Sequence, residues 1–228
     1  MSARPRPAPS VRPRAGAARL RQQRALLAAQ ALSRADRRMA RLIERIGPHR
    51  PVLTADPFRA LVGSIIQQQV SMSAAAAMQK RLRQACDGRI RPETVLGLDA
   101  AALRGCGLSR QKSAYLHHLA QHFADGLLTS RRLRRLEDEA VIAAATQVKG
   151  VGRWTAEMLL IFCLERPDVW PVDDLGLRKA VRGFLGLAAM PTAEAMRAAG
   201  EPFRPYRTYA SWYLWRSLEG PFMPGVSL

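Results

Sequence analysis

The fold is decided by residues 148–156, which read VKGVGRWTA and lie between two apolar stretches with helical spacing. Gly150 and Gly152 flank one apolar residue, which is typical of a tight turn between two helices. Because glycine has no side chain, the backbone of this turn can approach a phosphate closely, and the N–H groups that open the second helix favour an anion. An ordinary interhelical turn would show the same pattern. If the turn instead binds the phosphates of DNA, the residues in contact with them are Lys149, Gly150, Val151, Gly152 and Arg153.

A second segment of chemical interest follows one helix later, where residues 169–175 read VWPVDDL. Since Pro171 forbids continued helix, the approach to the two carboxylates is extended. Asp173 and Asp174 then open the next helix, where acidic side chains cap free N–H groups. Taken alone, the pair indicates capping by Asp173, with Asp174 in the first turn, more than it indicates catalysis.

The rest of the sequence predicts helices almost throughout. An Ala/Leu/Arg-rich stretch from residue 17 to about 46 predicts one long helix that ends before a Gly-Pro pair. Asp56 caps the next helix, and a polar corner at Gln68-Gln69 separates that helix from an alanine-rich one. Alternation at period two is nearly absent, so the sequence predicts an all-α protein of about ten helices.

The charge of the chain limits the classes of partner. The 228 residues include 36 Lys and Arg against 18 Asp and Glu, which gives a formal net charge of +18. Residues 1–24 hold seven Arg and no acid, so the remainder still carries 18 − 7 = +11. This excess predicts a polyanionic partner, with nucleic acid favoured over an anionic membrane surface.

Composition excludes several other classes of protein. With 48% hydrophobic and 24% charged residues, the chain has the composition of a globular protein. No apolar run approaches the ~20 residues of a membrane span, and the N-terminus has no apolar signal-peptide core. Three scattered cysteines predict neither a disulfide framework nor a four-thiolate metal site. We therefore expect reduced thiols, no membrane partner and a cytoplasmic location.

Taken together, the motifs resemble one family of DNA repair enzymes. Residues 150–156 (GVGRWTA) and 171–174 (PVDD) are similar to the 3-methyladenine DNA glycosylase II family, within the helix-hairpin-helix DNA glycosylase superfamily. Further matches occur in the family's order at residues 68–71 (QQVS), 107–112 (GLSRQK), 204–207 (RPYR) and 212–215 (WYLW). The resemblance spans residues 56–218, which is most of the chain.

The resemblance implies an all-α, two-lobed fold of a monomer, with the active site in the cleft between the lobes. The expected organisation is a disordered basic tail, an N-terminal helix that packs with the C-terminal lobe, a central lobe with the hairpin, and a C-terminal lobe with the catalytic Asp. These parts are predicted at residues 1–16, 17–55, 56–165 and 166–228.

The resemblance also implies the chemistry. Members of the family flip a damaged base out of duplex DNA and hydrolyse its N-glycosidic bond, so the implied partner is damaged double-stranded DNA at the nucleoid. An alkylated purine is a cationic leaving group, and a carboxylate then needs only to stabilise the cationic sugar and to orient or deprotonate water. By position in the motif, Asp174 matches the family's catalytic residue, and Asp173 would cap the helix.

Aromatic residues are candidates for the walls of the base pocket. The family has Trp at the pocket positions that Trp154 and Trp215 occupy, where an indole can stack on a cationic base. Trp212 and Tyr213 are further candidates. Core packing is the alternative for at least one or two of these four side chains.

Two more site residues follow from the resemblance. Gln69 lies at the corner where the family inserts a wedge into the gap left by the flipped nucleotide, and its neighbour Gln68 competes for that role. The alternative is a helix-terminal Gln that faces solvent. Trp154 stands where lyase-competent relatives carry the Lys that forms a Schiff base, so the resemblance implies a glycosylase without β-lyase activity.

No cofactor is required by this interpretation. The family's hairpin holds a monovalent cation through main-chain carbonyls, which here would place a structural Na⁺ or K⁺ at Thr146, Val148 and Val151. Relatives with an iron–sulfur cluster end in four closely spaced cysteines. Because no cysteine follows Cys163, no cluster is expected.

Two rival functions fit part of the sequence. One is a non-catalytic helix-hairpin-helix protein that binds distorted or damaged DNA, and the other is a glycosylase for oxidised or mismatched bases. The charge, the hairpin and Gln69 fit the non-catalytic protein equally well, whereas Asp174 and the aromatic pocket favour an enzyme. The sequence leaves open which base is removed: 3-methyladenine, 7-methylguanine, ethenoadenine, hypoxanthine or methylated cytosine.

Overall fold

The computed structural model describes residues 15–219, and its regular elements within that range are all helical. This confirms the all-α prediction. The tail predicted at residues 1–16 lies outside the described residues except for its last two, which open the first helix. The helices are α1 (Ala15–Ala35), α2 (Arg37–Ile46), α3 (Pro57–Gln67), α4 (Met72–Ala85), α5 (Pro92–Leu96), α6 (Ala100–Gly105), α7 (Arg110–Ala124), α8 (Ser130–Arg135), α9 (Asp138–Ala145), α10 (Arg153–Phe162), α11 (Leu175–Leu185), α12 (Ala193–Gly200), a 3-10 turn (Glu201–Phe203) and α13 (Arg207–Ser217).

The N-terminal segment forms two helices, so the prediction of one long helix from residue 17 to 46 is wrong. Asp36 is extended, with φ −149° and ψ 126°, and its carboxylate accepts hydrogen bonds from the N–H groups of Arg38 (2.7 Å) and Met39 (3.3 Å). An aspartate satisfies free N–H groups at a helix start better than it fits a helix interior. The break divides the stretch into α1 and α2.

Two buried apolar clusters confirm the two-lobed fold. The first contains side chains from α3 to α10 and ends at Val169. The second combines Leu32, Met39 and Leu42 of the N-terminal helices with Trp170 and side chains of α11, α12 and α13. The chain passes from one cluster to the other between Val169 and Trp170, shortly after the predicted boundary at residue 165. Trp215 packs against both clusters and so lies where the lobes meet.

An extended segment connects the lobes and is fixed at several points. The Asp168 carboxylate accepts hydrogen bonds from Arg207, with Nε–Oδ1 2.7 Å and Nη2–Oδ2 3.0 Å. The N–H of Val169 donates to Thr208 Oγ1 (2.9 Å), and the indole of Trp170 donates to the Met196 carbonyl (2.7 Å). These bonds hold the backbone that leads to Asp174.

The three cysteines of the chain are all reduced, as the sequence predicts. Cys86, Cys106 and Cys163 are buried free thiols, and burial raises the pKa of Cys163 to about 11. Among residues 15–219, no helix combines the length and the apolar character that a membrane span requires.

Candidate active site

Asp174 ends the extended segment and caps α11. Its N–H donates to the Pro171 carbonyl (3.0 Å), which closes a turn over the two intervening residues. Its Oδ1 accepts the N–H of Leu177 at 2.5 Å. The prediction that Asp173 caps the helix is therefore wrong: the turn places Asp173 one residue too early, and its side chain is exposed. The cap and the predicted catalytic residue are the same aspartate.

Two indoles donate hydrogen bonds to the Asp174 carboxylate. Trp215 Nε1 donates to Oδ1 (2.8 Å), and Trp154 Nε1 donates to Oδ2 (2.7 Å). With the Leu177 N–H, Oδ1 accepts two bonds and Oδ2 accepts one. Since each carboxylate oxygen offers about two lone pairs, Oδ2 keeps one acceptor site for a reacting group. The three hydrogen bonds fix the orientation of the carboxylate, and the residue is only 9% exposed to solvent.

Gly176 allows the close approach of Trp215 to this aspartate. A Cβ built at Gly176 would lie 3.1 Å from Asp174 Oδ1 and 3.3 Å from the Trp215 ring. Both distances are shorter than ordinary van der Waals contacts. The first turn of α11 therefore has room for the indole because this position carries no side chain.

A cleft of about 1090 Å³ lies between α10 and the α3–α4 pair. Trp154, which is 43% exposed, lines it together with Met158 and Phe162. Trp215 stacks on Phe162 with ring centroids 5.9 Å apart and an interplanar angle of 28°. The lining also includes Arg59, Lys80 and Arg83 and no acidic residue, so the cleft is both aromatic and basic.

Trp212 and Tyr213 have different surroundings from Trp215. Trp212 contacts His49 (ring centroids 4.7 Å apart) and lines a second pocket of about 560 Å³ that also reaches Phe162. Tyr213 is buried in the C-terminal lobe, and its hydroxyl donates to the Gly47 carbonyl (3.2 Å). Of the predicted pocket aromatics, the structure thus brings Trp154 and Trp215 to Asp174 and places the other two away from it.

The polar corner between α3 and α4 distinguishes the two wedge candidates. Gln68 is half-buried, and its Nε2 donates to the Gly150 carbonyl at 2.8 Å. Gln69 is exposed and has φ 55°, a conformation that non-glycine residues rarely adopt and that often marks functional sites. Gln69 is therefore the more exposed of the two candidates, whereas Gln68 is bonded to the hairpin.

The hairpin joins α9 to α10 as predicted. Gly150 has φ +87°, and a Cβ there would lie 2.2 Å from the Tyr115 ring, so no side chain fits at this position. Gly152 caps α10 without a side-chain hydrogen bond, which leaves the first N–H groups of that helix free of a capping side chain. The N–H of Lys149 donates to His118 Nδ1 (3.1 Å).

Arg153 differs from the other hairpin residues. Its guanidinium pairs with Glu139 (Nη2–Oε1 2.5 Å) and with Glu157 (Nε–Oε1 3.1 Å). Burial raises the pKa of Glu157 to about 7. The prediction for Arg153 was a phosphate contact, but two carboxylates already engage its guanidinium.

With the hairpin, the capped aspartate and the two indoles described, the chain can be compared with known proteins. The model of the HhH-GPD superfamily of base excision DNA repair proteins matches residues 62–205. This range includes the polar corner at Gln68-Gln69 (the wedge corner below), the hairpin and Asp174. The chain belongs to the HhH-GPD superfamily.

Individual relatives place this HhH-GPD protein among the 3-methyladenine DNA glycosylases. It is 36% identical to DNA-3-methyladenine glycosylase 1 of Schizosaccharomyces pombe over 82% of this chain and 84% of that protein. The solved Schizosaccharomyces pombe 3-methyladenine DNA glycosylase in complex with abasic DNA has a TM-score of 0.78 and 35% identity, covering 86% of this chain and 98% of that one. A solved DNA-3-methyladenine glycosidase from Bacillus halodurans gives a TM-score of 0.78 and 34% identity, covering 86% and 90%.

Several residues of this HhH-GPD site escape sequence reasoning. Phe162 stacks on Trp215, Tyr115 packs on Gly150, and His118 accepts the Lys149 N–H. His49 lies among the aromatic rings of α13, where burial lowers its pKa to about 4. Only the helical spacing of Tyr115 and His118 on one face of α7 is visible in the sequence, and that spacing does not reveal the hairpin as their partner.

Proposed function

We propose that the chain is a monofunctional DNA glycosylase that flips alkylated purines of the 3-methyladenine type out of duplex DNA and hydrolyses their N-glycosidic bond. The observation that carries the proposal is the Asp174 carboxylate, which receives three N–H donors, one of them from Trp154 in the wall of the aromatic cleft. A fixed carboxylate with one unused acceptor site suits a reaction in which positive charge develops on a sugar.

In this mechanism the leaving group needs little help from the protein. An alkylated purine carries positive charge and departs as a neutral base, so the developing charge is on the sugar. Asp174 Oδ2 faces that charge while the C1′–N bond breaks, and it accepts the proton that the attacking water loses as its oxygen bonds to C1′. Because the three N–H donors fix the carboxylate beforehand, little reorganisation is needed during the reaction.

The aromatic cleft supports recognition of the flipped base. Trp154 offers an exposed indole, and Trp215 is held against Phe162. A π face attracts a cationic ring more than a neutral one, which favours alkylated over normal purines. Gln69 would fill the gap that the flipped nucleotide leaves in the duplex.

The absence of lyase activity is part of the proposal. A Schiff base requires an amine at the sugar, and Trp154 takes the position that would supply it. Lys112 Nζ donates to the Ile66 carbonyl (2.6 Å), and the backbone of Lys149 is tied to His118 (3.1 Å). The first contact directs the Lys112 amine to the end of α3 rather than to Asp174, and the second fixes the Lys149 backbone in the hairpin.

The proposed partner is DNA, which the protein would bind as a monomer. A monovalent cation is also proposed at the hairpin. The Thr146 carbonyl belongs to the C-cap residue of α9, where helix carbonyls lack intrahelical donors. The Val148 carbonyl accepts the Val151 N–H (3.0 Å) and keeps its second lone pair, and the Val151 carbonyl would be the third oxygen. Such hard oxygen donors suit Na⁺ or K⁺. When bound, the ion would add positive charge beside a DNA phosphate, and the chemistry at Asp174 does not depend on it.

The rival is a protein that binds damaged DNA without cutting it. Such a protein needs the basic cleft, the hairpin and a wedge, but it has no use for a carboxylate oriented by two indoles. The Asp174 contacts therefore favour the enzyme.

Base release from a panel of duplexes tests the proposal. Each duplex contains one lesion, and strand cleavage is measured with and without alkali, together with borohydride trapping. We expect release of 3-methyladenine or 7-methylguanine, cleavage only after alkali, and no trapped adduct. Release of no base from any duplex, despite tight binding, would support the rival function. A borohydride-dependent adduct would refute the monofunctional assignment alone.

A further inference from the structure

One face of α7 contacts both DNA-facing elements of the central lobe. Lys112, Tyr115 and His118 are three residues apart and so share that face. Tyr115 packs against Gly150 and His118 accepts the Lys149 N–H, so both residues contact the hairpin. Lys112 instead reaches the end of α3, where its Nζ donates to the Ile66 carbonyl at 2.6 Å.

The Lys112 bond acts where α3 needs support. The last carbonyls of a helix have no intrahelical donor, and a positive charge near them is favourable. Lys112 supplies both the donor and the charge at Ile66, one turn before the wedge corner. Its amine is thereby directed at the protein, which distinguishes it from a lysine that contacts phosphate.

Gln68 connects the wedge corner with the hairpin, so that α7, the wedge corner and the hairpin form one circuit of contacts. Its Nε2 donates to the Gly150 carbonyl at 2.8 Å, which ties the wedge corner directly to the hairpin. Gln69 follows immediately with φ 55°, and among the described residues its own amide makes no intramolecular hydrogen bond. The position of the exposed Gln69 is thus determined by the bonds of its neighbours.

We propose that Gln68 and Lys112 are positioning residues that hold the Gln69 wedge in fixed register with the phosphate-binding hairpin. The inference rests on the proposed function and deepens it. When the hairpin binds the DNA backbone, the rigid connection places Gln69 at one defined step of the duplex. Binding of phosphate and displacement of the base are then mechanically coupled rather than independent.

The test measures base flipping separately from DNA affinity. The full chain and the variants Lys112→Met, Gln68→Ala and Gln69→Ala are assayed on one lesion that the unmodified protein excises. The lesion is placed in a stable pair or in an unstable mismatch, with 2-aminopurine beside it as a fluorescent reporter of flipping. Lys179→Met is the charge-matched control, because Lys179 is exposed on α11 and has no place in this circuit.

We expect Lys112→Met and Gln68→Ala each to lose about tenfold in single-turnover excision from the stable pair, and less than about threefold from the mismatch. The 2-aminopurine signal should fall in parallel. Affinity for undamaged duplex should equal that of Lys179→Met. Adding Lys112→Met to Gln69→Ala should cost less than about twofold more, because both changes act on the same wedge.

Three results would overturn the proposal. Equal losses in the stable pair and the mismatch would exclude action through flipping, and a fully additive loss in the double variant would exclude action through Gln69. A reduced salt dependence of undamaged-duplex binding, beyond that of Lys179→Met, would make Lys112 a phosphate contact. Thermal unfolding monitors the fold, and Gln68→Ala repeats the test without altering the Lys112 bond. Failure of the unmodified protein to excise any base would instead refute the proposed function itself.

Discussion

Asp174 and Gln69 belong to different lobes, and the structure holds them in opposite ways. The carboxylate of Asp174 is buried and itself accepts three N–H donors. The amide of Gln69 is exposed, and its backbone is fixed by bonds that its neighbours make. A group that stabilises developing charge must already be oriented, whereas a group that enters the duplex needs free donors and acceptors. Each kind of support fits the task.

The largest effect is expected when the negative charge of Asp174 is removed. Asp174→Asn should lower the single-turnover excision rate by about 10³-fold or more, because an oriented charge facing a cationic transition state is lost. DNA affinity should change little. The adjacent Asp173→Asn is the matched control and should stay within about twofold, since its side chain is exposed. A reversed outcome would transfer the catalytic role to Asp173.

A smaller effect is expected when the charge remains and one of its donors is lost. Trp215→Phe keeps a ring against Phe162 but removes the N–H at Oδ1, and we expect a loss of about 10- to 100-fold in rate with nearly constant affinity. Trp212→Phe should cost much less, because Trp212 contacts His49 rather than Asp174. Similar losses in the two variants, measured by single-turnover kinetics, would show that stacking rather than orientation matters.

The wedge should respond to the stability of the base pair. Gln69→Ala should reduce excision about tenfold in a stable pair and clearly less in a mismatch, where unstacking already costs less. Single-turnover rates on the two duplexes provide the comparison. Equal losses in the two contexts would remove the wedge role and with it the contrast between the two sites.

The smallest effect on excision is expected for Glu157, a buried acid whose predicted role is in stability. The folded-state pKa of Glu157 is about 7, raised from 4.5 chiefly by burial. Between these values the folded protein holds a proton that the unfolded chain releases, so stability falls as pH rises from about 4.5 through 7. Glu157→Gln should therefore raise the free energy of unfolding at pH 8 by roughly 1–3 kcal/mol and leave it unchanged near pH 4.5.

Thermal unfolding of the two proteins across this pH range measures the difference. A gain in stability that persists unchanged at pH 4.5 would mean that ionisation of Glu157 does not set the effect.

Local patterns in the sequence were enough to predict the all-α class, the hairpin and the helix start at the aspartate pair, but they missed the break at Asp36 that separates α1 from α2. The Gly-x-Gly turn and the proline-stiffened approach to Asp174 involve neighbours in the chain, and they fold as expected. The cap was assigned to the wrong aspartate because both residues satisfy the local pattern, and only the turn closed at Pro171 decides between them. Asp36 carried a readable signal, since an isolated acid in a basic Ala/Leu stretch is a natural cap.

Contacts between distant residues could not be predicted in the same way. Trp215 lies 41 residues from Asp174 in sequence, and Gln68 lies 82 residues from Gly150. Helical spacing groups Trp212 and Trp215 on neighbouring faces of α13, but it does not say which face meets the cleft. The sequence predicted a phosphate contact for Arg153 because its partner Glu139 lies on another helix, and nothing in the local pattern reveals that pairing. Such pairings depend on how helices pack, which single-sequence patterns do not contain.

The way the second core is built also has a consequence for synthesis on the ribosome. The central lobe draws on residues from Phe58 to Val169, so it can assemble as soon as that stretch has emerged. The N-terminal helices α1 and α2 precede it, yet their apolar partners on α11 and α13 are translated afterwards. Trp215, on α13, is then among the last groups to reach Asp174. A nascent chain therefore completes the hairpin before it can orient the Asp174 carboxylate, so the catalytic arrangement is the last of these features to form.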